Sequence, residues 1–162
     1  MLATKYDVTD WEALAAEIAP RIEACAAVHD ADESFVNEAY ALLRQQGFFK
    51  ALVPFELGGG GAEIGEMCRA IRALGAACGS TALAFAMHSH LVAVAAWRWR
   101  HQGAPTDGLL RRVAADDLVL VSSGGSDWLP SGGVATKVEG GFTIAARKQP
   151  AMQVGSRSYS DW

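Results

Sequence analysis

The 162 residues are 51% apolar and 20% charged, a composition typical of a folded globular protein and not of a disordered one. The net charge of −4 argues against a nucleic-acid-binding protein, which usually carries a basic patch. The three cysteines, Cys25, Cys68 and Cys78, are far apart and form no C-x-x-C pair, so neither a disulfide framework nor a zinc site is indicated, and we expect a cytoplasmic protein.

The first part of the chain predicts two helices. Thr9 and Glu12 have the spacing of a capping box, and apolar residues then recur along one helical face. Pro20 falls inside this pattern and is expected to kink or restart the helix, and His29 marks a break. The second helix follows and is expected to stop at Gly47.

A linker with a glycine run follows the second helix. The stretch 48–54 is predicted to be extended, because Pro54 disfavours helical backbone at the residue before it. The glycines at 58–61 have two interpretations: backbone amides that approach a phosphate, or a flexible turn between helices. The run lacks the lysine and hydroxyl of a P-loop, which favours the turn.

Two longer helices are predicted after the glycines. The first covers Glu63 to Cys78 and is ended by Gly79. The second, capped by Ser80 or Thr81, reaches about residue 97 and is apolar almost all the way round, so we expect it to be central and buried on every side. The basic, aromatic stretch 97–101 is interpreted as a solvated helix end.

Strand patterns begin after a short helix capped by Thr106. A run of four apolar residues, 118–121, leads into the small, hydroxyl-bearing loop 122–128. Two alternating segments, 134–139 and 142–147, flank Gly140-Gly141 and predict a hairpin.

His88 and His90 interrupt the most apolar window, which favours a buried helix over a membrane span. Residues two apart on a helix point to different faces, so the two histidines cannot easily share a metal ion, and no metal site is predicted. His88 is either a satisfied polar group in the core or part of a pocket lining. No serine lies in a G-x-S-x-G motif, so no catalytic residue is nominated.

Several short motifs between about residues 35 and 148 resemble the acyl-CoA dehydrogenase family in order and spacing. They are Gly47-Phe48, Leu52-Val53-Pro54, Glu56, Gly58-Gly59, the helix over 63–78, Ser80-Thr81-Ala82, Gly125-Ser126-Asp127, Ala135-Thr136, Gly140-Gly141-Phe142 and Arg147-Lys148. The earlier motifs resemble the N-terminal helical domain of that family, and the later ones resemble the start of its middle β-domain.

We therefore expect a mainly α fold with a small β part. Residues 1–116 would form an up-and-down helical domain, 117–148 the first strands of a truncated β-barrel-like domain, and 149–162 an irregular tail. Because the periodicity fails after residue 148 and the family's C-terminal domain with its general base is not represented, we expect a truncated or frameshifted product.

The resemblance implies an FAD-dependent oxidoreductase that dehydrogenates an acyl-CoA thioester between its α and β carbons. By position, it implies flavin contacts at four residues of the strand end and loop: Val121, Ser122, Gly125 and Ser126. It implies substrate contacts at Phe85, His88 and Ser126. FAD is not necessarily retained by a truncated chain, whose activity as an enzyme is left open.

Departures from the family pattern keep two alternatives open. The loop lacks the usual T-E-P, and Trp128 together with the histidines at 88 and 90 is closer to a divergent branch near flavin-dependent monooxygenases. The other alternative is a non-catalytic helical oligomerisation module. In each case we expect a homo-oligomer, with an acyl-CoA or another small molecule as the ligand and with neither a nucleic acid nor a membrane as a partner.

Overall fold

The structure is a computed structural model that describes residues 9–121 and 133–146. Within these ranges it has five α-helices, two short 3-10 helices and one β-hairpin. The α-helices are α1 (Trp11–Asp32), α2 (Asn37–Gln45), α3 (Ile64–Ala77), α4 (Gly79–Gln102) and α5 (Asp107–Asp116). The strands are β1 (Gly133–Val138) and β2 (Gly141–Ala146). The prediction of a mainly helical chain with a small β part is confirmed.

The helices pack around one apolar core. Helix α1 lies against α3, α3 against α4, and α4 against α5, while α2 packs beside α1. Aromatic side chains fill the centre: Phe48 meets Trp11 and Phe85 edge-on, with ring centroids 5.4 and 5.8 Å apart. Edge-to-face pairs at these separations add to the stabilisation that burial provides.

Helix α1 differs from the prediction at its start and in its length. Asp10, not Thr9, is the N-cap, and its carboxylate accepts a hydrogen bond from the Ala13 amide at 3.0 Å. The helix then continues through Pro20 and His29 without a restart. Pro20 is exposed, so water can bind the carbonyl that the proline cannot pair.

The stretch 48–57 is compact, and the prediction of an extended link is wrong. Phe48–Lys50 and Phe55–Leu57 form 3-10 helices, and the Val53 amide donates to the Lys50 carbonyl at 3.1 Å. Phe48, Phe49 and Val53 are almost fully buried. Burial of these side chains stabilises the tight turns over an extended path across the surface.

The glycine run is a close-packed turn. A Cβ on Gly59 would lie 2.2 Å from the Val53 carbonyl oxygen, and one on Gly60 would lie 2.5 Å from the Trp11 ring. Gly58 and Gly61 have positive φ angles of 89° and 59°. All four glycine amides donate to backbone carbonyls of residues 50–55, at 2.9–3.1 Å, so none of them is left to bind a phosphate.

One residue, Cys78, joins α3 and α4. It is the C-cap of α3 and the N-cap of α4, and its sulfur accepts hydrogen bonds from the Thr81 amide and hydroxyl at 3.4 and 3.2 Å. Gly79 is the first residue of α4, so neither Ser80 nor Thr81 is the cap that the sequence predicted.

Helix α4 is buried on one side only, which corrects the prediction of burial on every side. Phe85 and Val92 are at most 1% exposed, whereas Leu83, Val94 and Trp97 are 53–54% exposed. Helix α4 is long enough to cross a membrane, and its most apolar 18-residue window has a mean hydropathy of 1.2, which is apolar enough to do so. Half of that window is buried in the bundle, as in the core helix of a globular domain.

The hairpin is confirmed, with a turn one residue earlier than predicted. Strands β1 and β2 pair antiparallel and the last pair is Val138 with Gly141, so Glu139 and Gly140 form the turn. Gly140 has a φ of 81°, which favours glycine. The predicted strand at 118–121 is not formed within the described residues, where this segment contacts the helices instead.

Candidate functional site

His88 lies where α4 meets the segment that leaves the helical bundle. Its side chain is 1% exposed. Nε2 lies 2.8 Å from the Phe49 carbonyl oxygen, and Nδ1 lies 2.9 Å from the Leu120 amide nitrogen. A carbonyl needs a donor and an amide needs an acceptor, so the imidazole carries its proton on Nε2. One side chain thus joins α4, the first 3-10 helix and the segment after α5.

This imidazole stays neutral. Burial is the main cause that lowers the pKa of His88 from its ordinary 6.5 to about 4; the hydrogen bond to Phe49 opposes the shift and nearby His90 adds to it. Both ring nitrogens are already bonded in the neutral form. In the described chain His88 therefore acts as a buried polar link, the first of the two roles considered from the sequence.

Phe85 lies one turn before His88 and is fully buried. Its ring centroid lies 5.8 Å from those of Phe48 and Phe49, and the ring stacks on His88 at 6.2 Å. Of the three residues assigned to the substrate, Phe85 and His88 thus lie in the packed core, and Ser126 lies outside the described residues. Their substrate contacts stay a prediction.

The segment 118–121 is positioned by His88 and by apolar burial. Val119 is 4% exposed, and Leu118 and Leu120 pack partly against the core. Val121 is half-buried and is the last residue of the first described range, 9–121, and Ser122, Gly125 and Ser126 lie outside the described residues. Of the four residues expected to hold the flavin, the structure therefore places Val121, at the end of the segment that follows α5, and its contact with the flavin stays a prediction.

A groove of about 360 Å³ lies between α4 and the start of α3. Its walls include Ile64, Val94 and Trp97, each more than half exposed, and its polar lining residues include Arg100 and His101. Apolar walls with a few polar groups are typical of small-molecule sites. The sequence signal was the basic, aromatic stretch 97–101, which we interpreted as a solvated helix end.

Comparison with known proteins supports the family resemblance. The model of the N-terminal domain of acyl-CoA dehydrogenases matches residues 11–103. The structure titled "X-ray Structure of a KijD3 in Complex with dTDP" is 30% identical, with a TM-score of 0.72 over 89% of this chain and 39% of that one. The nitrososynthase from Micromonospora carbonacea var. africana is 28% identical, with a TM-score of 0.75 over 93% of this chain and 41% of that one. This chain thus spans about two fifths of each structure's length, and the search of curated proteins found no match.

Proposed function

The chain belongs to the acyl-CoA dehydrogenase family, and on that premise we propose that it supplies the N-terminal helical wall of a flavin-dependent oxidoreductase. The observation that carries the proposal is the link from His88 to Leu120, because it fixes the segment that leads into the predicted flavin loop. Bound FAD would supply the redox chemistry. The helical bundle would shield one side of the site from water, and the loop 122–128 would approach the flavin.

Of the two reactions left open by the sequence, we favour oxygenation of a small molecule. A nitrososynthase is named for making a nitroso compound, a product that oxidation of an amine nitrogen yields, and it matches nearly the whole chain. KijD3 was crystallised with dTDP, so a substrate linked to thymidine diphosphate is a reasonable ligand class for this chain as well. The sequence alone favoured dehydrogenation, with oxygenation as the alternative. These two structural neighbours are the reason that we favour oxygenation over dehydrogenation.

Dehydrogenation of an acyl-CoA is the second candidate. It is favoured by the family model, which carries that activity in its name and matches the helical part of the chain. Both candidates use the same flavin. They differ in whether molecular oxygen or the acyl thioester reacts with the cofactor.

A pair of chimeras distinguishes the two reactions. In one, residues 1–146 of this chain replace the matching N-terminal part of the nitrososynthase; in the other, they replace that of an acyl-CoA dehydrogenase. We expect the first chimera to bind FAD and to consume oxygen when reduced cofactor and the nitrososynthase substrate are supplied. We expect an acyl-CoA to leave the flavin of the second chimera oxidised under anaerobic conditions.

Dehydrogenation is the better assignment if an acyl-CoA bleaches the flavin of the acyl-CoA dehydrogenase chimera and the nitrososynthase chimera consumes no oxygen. If both chimeras fold, as judged by far-UV circular dichroism, but neither binds flavin, the non-catalytic helical module is the better assignment. The parent enzymes, prepared in the same way, are the controls. The proposal includes a reducing, cytoplasmic location, in which Cys25, Cys68 and Cys78 remain the free thiols that the structure contains.

A further inference from the structure

Three side chains of the types that ligate metal ions meet at the junction of α1 and α2. They are Cys25, His29 and Glu38, and their ligand atoms all lie within 4.8 Å of one another. Cys25 and His29 are one helical turn apart on α1, so they project from the same face. Glu38 comes from the first turn of α2 and completes the group across the junction.

The imidazole of His29 is already oriented. Its Nε2 lies 2.6 Å from a Glu38 carboxylate oxygen, and its Nδ1 lies 2.7 Å from the Ser34 hydroxyl. The His29 side chain is 10% exposed, whereas that of Glu38 is 67% exposed. A histidine that ligates a metal through one nitrogen usually has its other nitrogen held by a hydrogen bond, which fixes the ring and the tautomer. Ser34 is in the position to do this.

We propose that Cys25, His29 and Glu38 bind one zinc ion, with a water molecule as the fourth ligand. A thiolate, an imidazole and a carboxylate are all accepted zinc ligands, and the two negative ligands balance the charge of the ion. His29 lies in the last turn of α1, where the negative end of the helix dipole favours a cation.

The movement needed to form the site is small. Zinc bonds of about 2.0–2.3 Å in a tetrahedron place neighbouring ligand atoms roughly 3.5 Å apart. Atoms up to 4.8 Å apart must therefore approach by about 1 Å, and the 2.6 Å contact between His29 and Glu38 must open by a similar amount. The exposed Glu38 side chain can move without disturbing the core. The bound ion would tie α1 to α2.

Cobalt(II) is the probe that tests the site, since it takes zinc positions and its thiolate complexes absorb in the near ultraviolet. The 162-residue chain, freed of metal with a chelator, is titrated first with Co²⁺ and then with Zn²⁺. We expect an equimolar complex with a thiolate band that Zn²⁺ removes. Cys25→Ser should abolish the band, and His29→Gln or Glu38→Gln should weaken binding by about tenfold or more, because the loss of even a group that only orients a ligand costs that much.

Cys68→Ser is the matched control, because Cys68 is an exposed free thiol outside the cluster. Its band and affinity should equal those of the unmodified chain. A zinc-dependent rise in the unfolding temperature that Cys25→Ser removes would support the same site independently of the spectrum. The proposal is wrong if the Co²⁺ complex has no thiolate band, or if the band survives Cys25→Ser.

Discussion

Replacement of His88 by leucine should destabilise the bundle more than any exposed substitution on the same helix. Leucine fills most of the volume but can pair neither the Phe49 carbonyl nor the Leu120 amide. Each buried polar group left without a partner costs about 1–3 kcal/mol, so the two together should cost roughly 2–6 kcal/mol. That loss is a large share of the 5–15 kcal/mol or so by which domains are usually stable.

The same residue should make stability depend on pH. The pKa of His88 is about 4 in the folded chain and returns towards 6.5 on unfolding, so between these values the unfolded chain binds more protons. Stability therefore falls as the pH is lowered from 7 to 4. The contribution of His88 to this fall is roughly 3 kcal/mol, since one pKa unit corresponds to about 1.4 kcal/mol.

Urea unfolding followed by far-UV circular dichroism at several pH values between 4 and 7 measures both effects. The wild type should lose stability on acidification, and His88→Leu should lose roughly 3 kcal/mol less over the same range. His90→Ala is the control, because His90 is exposed on the same helix, and it should stay within about 0.5 kcal/mol of the wild type. If His88→Leu matches this control at pH 7 and keeps the wild-type pH dependence, the buried link described above is wrong.

The remaining predictions concern the glycine turn, an unpaired hydroxyl and the exposed apolar surface. Gly60→Ala should cost about 3 kcal/mol or more in urea unfolding, because the new methyl group meets the adjacent indole, whereas Gly79→Ala, with open space around it, should be neutral or stabilising by up to about 1 kcal/mol. Equal effects of the two would contradict the close packing of the turn. Among the described residues the Tyr40 hydroxyl is buried without a partner, and burial raises its pKa, so Tyr40→Phe should leave the thermal unfolding temperature unchanged or raise it; a clear drop would reveal a missing partner. We also propose that the chain self-associates through the exposed apolar face that includes Val94 and Trp97, and Trp97→Lys should shift light scattering at micromolar concentration towards monomer. A wild-type chain that is already monomeric there would remove this proposal.

Local patterns in the sequence were sufficient to predict the elements. Apolar periodicity located the helices, and Gly47, whose φ is 76°, ends the second one as expected. The two alternating segments gave the hairpin, since period-two alternation and a glycine turn are local signals. The order of short motifs led to the family that the comparison later matched.

The sequence could not predict the features that depend on contacts between residues far apart in the chain. Nothing local relates His88 to Phe49 or Leu120, which are 39 and 32 positions away. The same applies to Cys25 and Glu38, which approach each other only because α2 folds back beside α1. These long-range contacts place His88 in the core and bring Cys25, His29 and Glu38 together.

Two other differences arise where usual preferences meet unusual positions. Helix α1 does not restart at its proline, whose side of the helix faces solvent. The sulfur of Cys78 caps α4. Hydroxyl and carboxylate groups are the usual caps, and for that reason the sequence favoured the neighbouring Ser80 or Thr81. The apolar composition of α4 likewise could not show which of its sides the rest of the chain covers.

The flavin content of the nitrososynthase chimera is the most direct test of the central claim that this chain forms one wall of a flavin site. We expect a folded chimera with nearly equimolar FAD, measured by visible absorbance after gel filtration. We also expect His88→Leu to lower this content and His90→Ala to leave it unchanged, because His88 fixes the approach to the flavin loop. A folded chimera without flavin, or a flavin content that is independent of His88, would show that the chain does not form this wall.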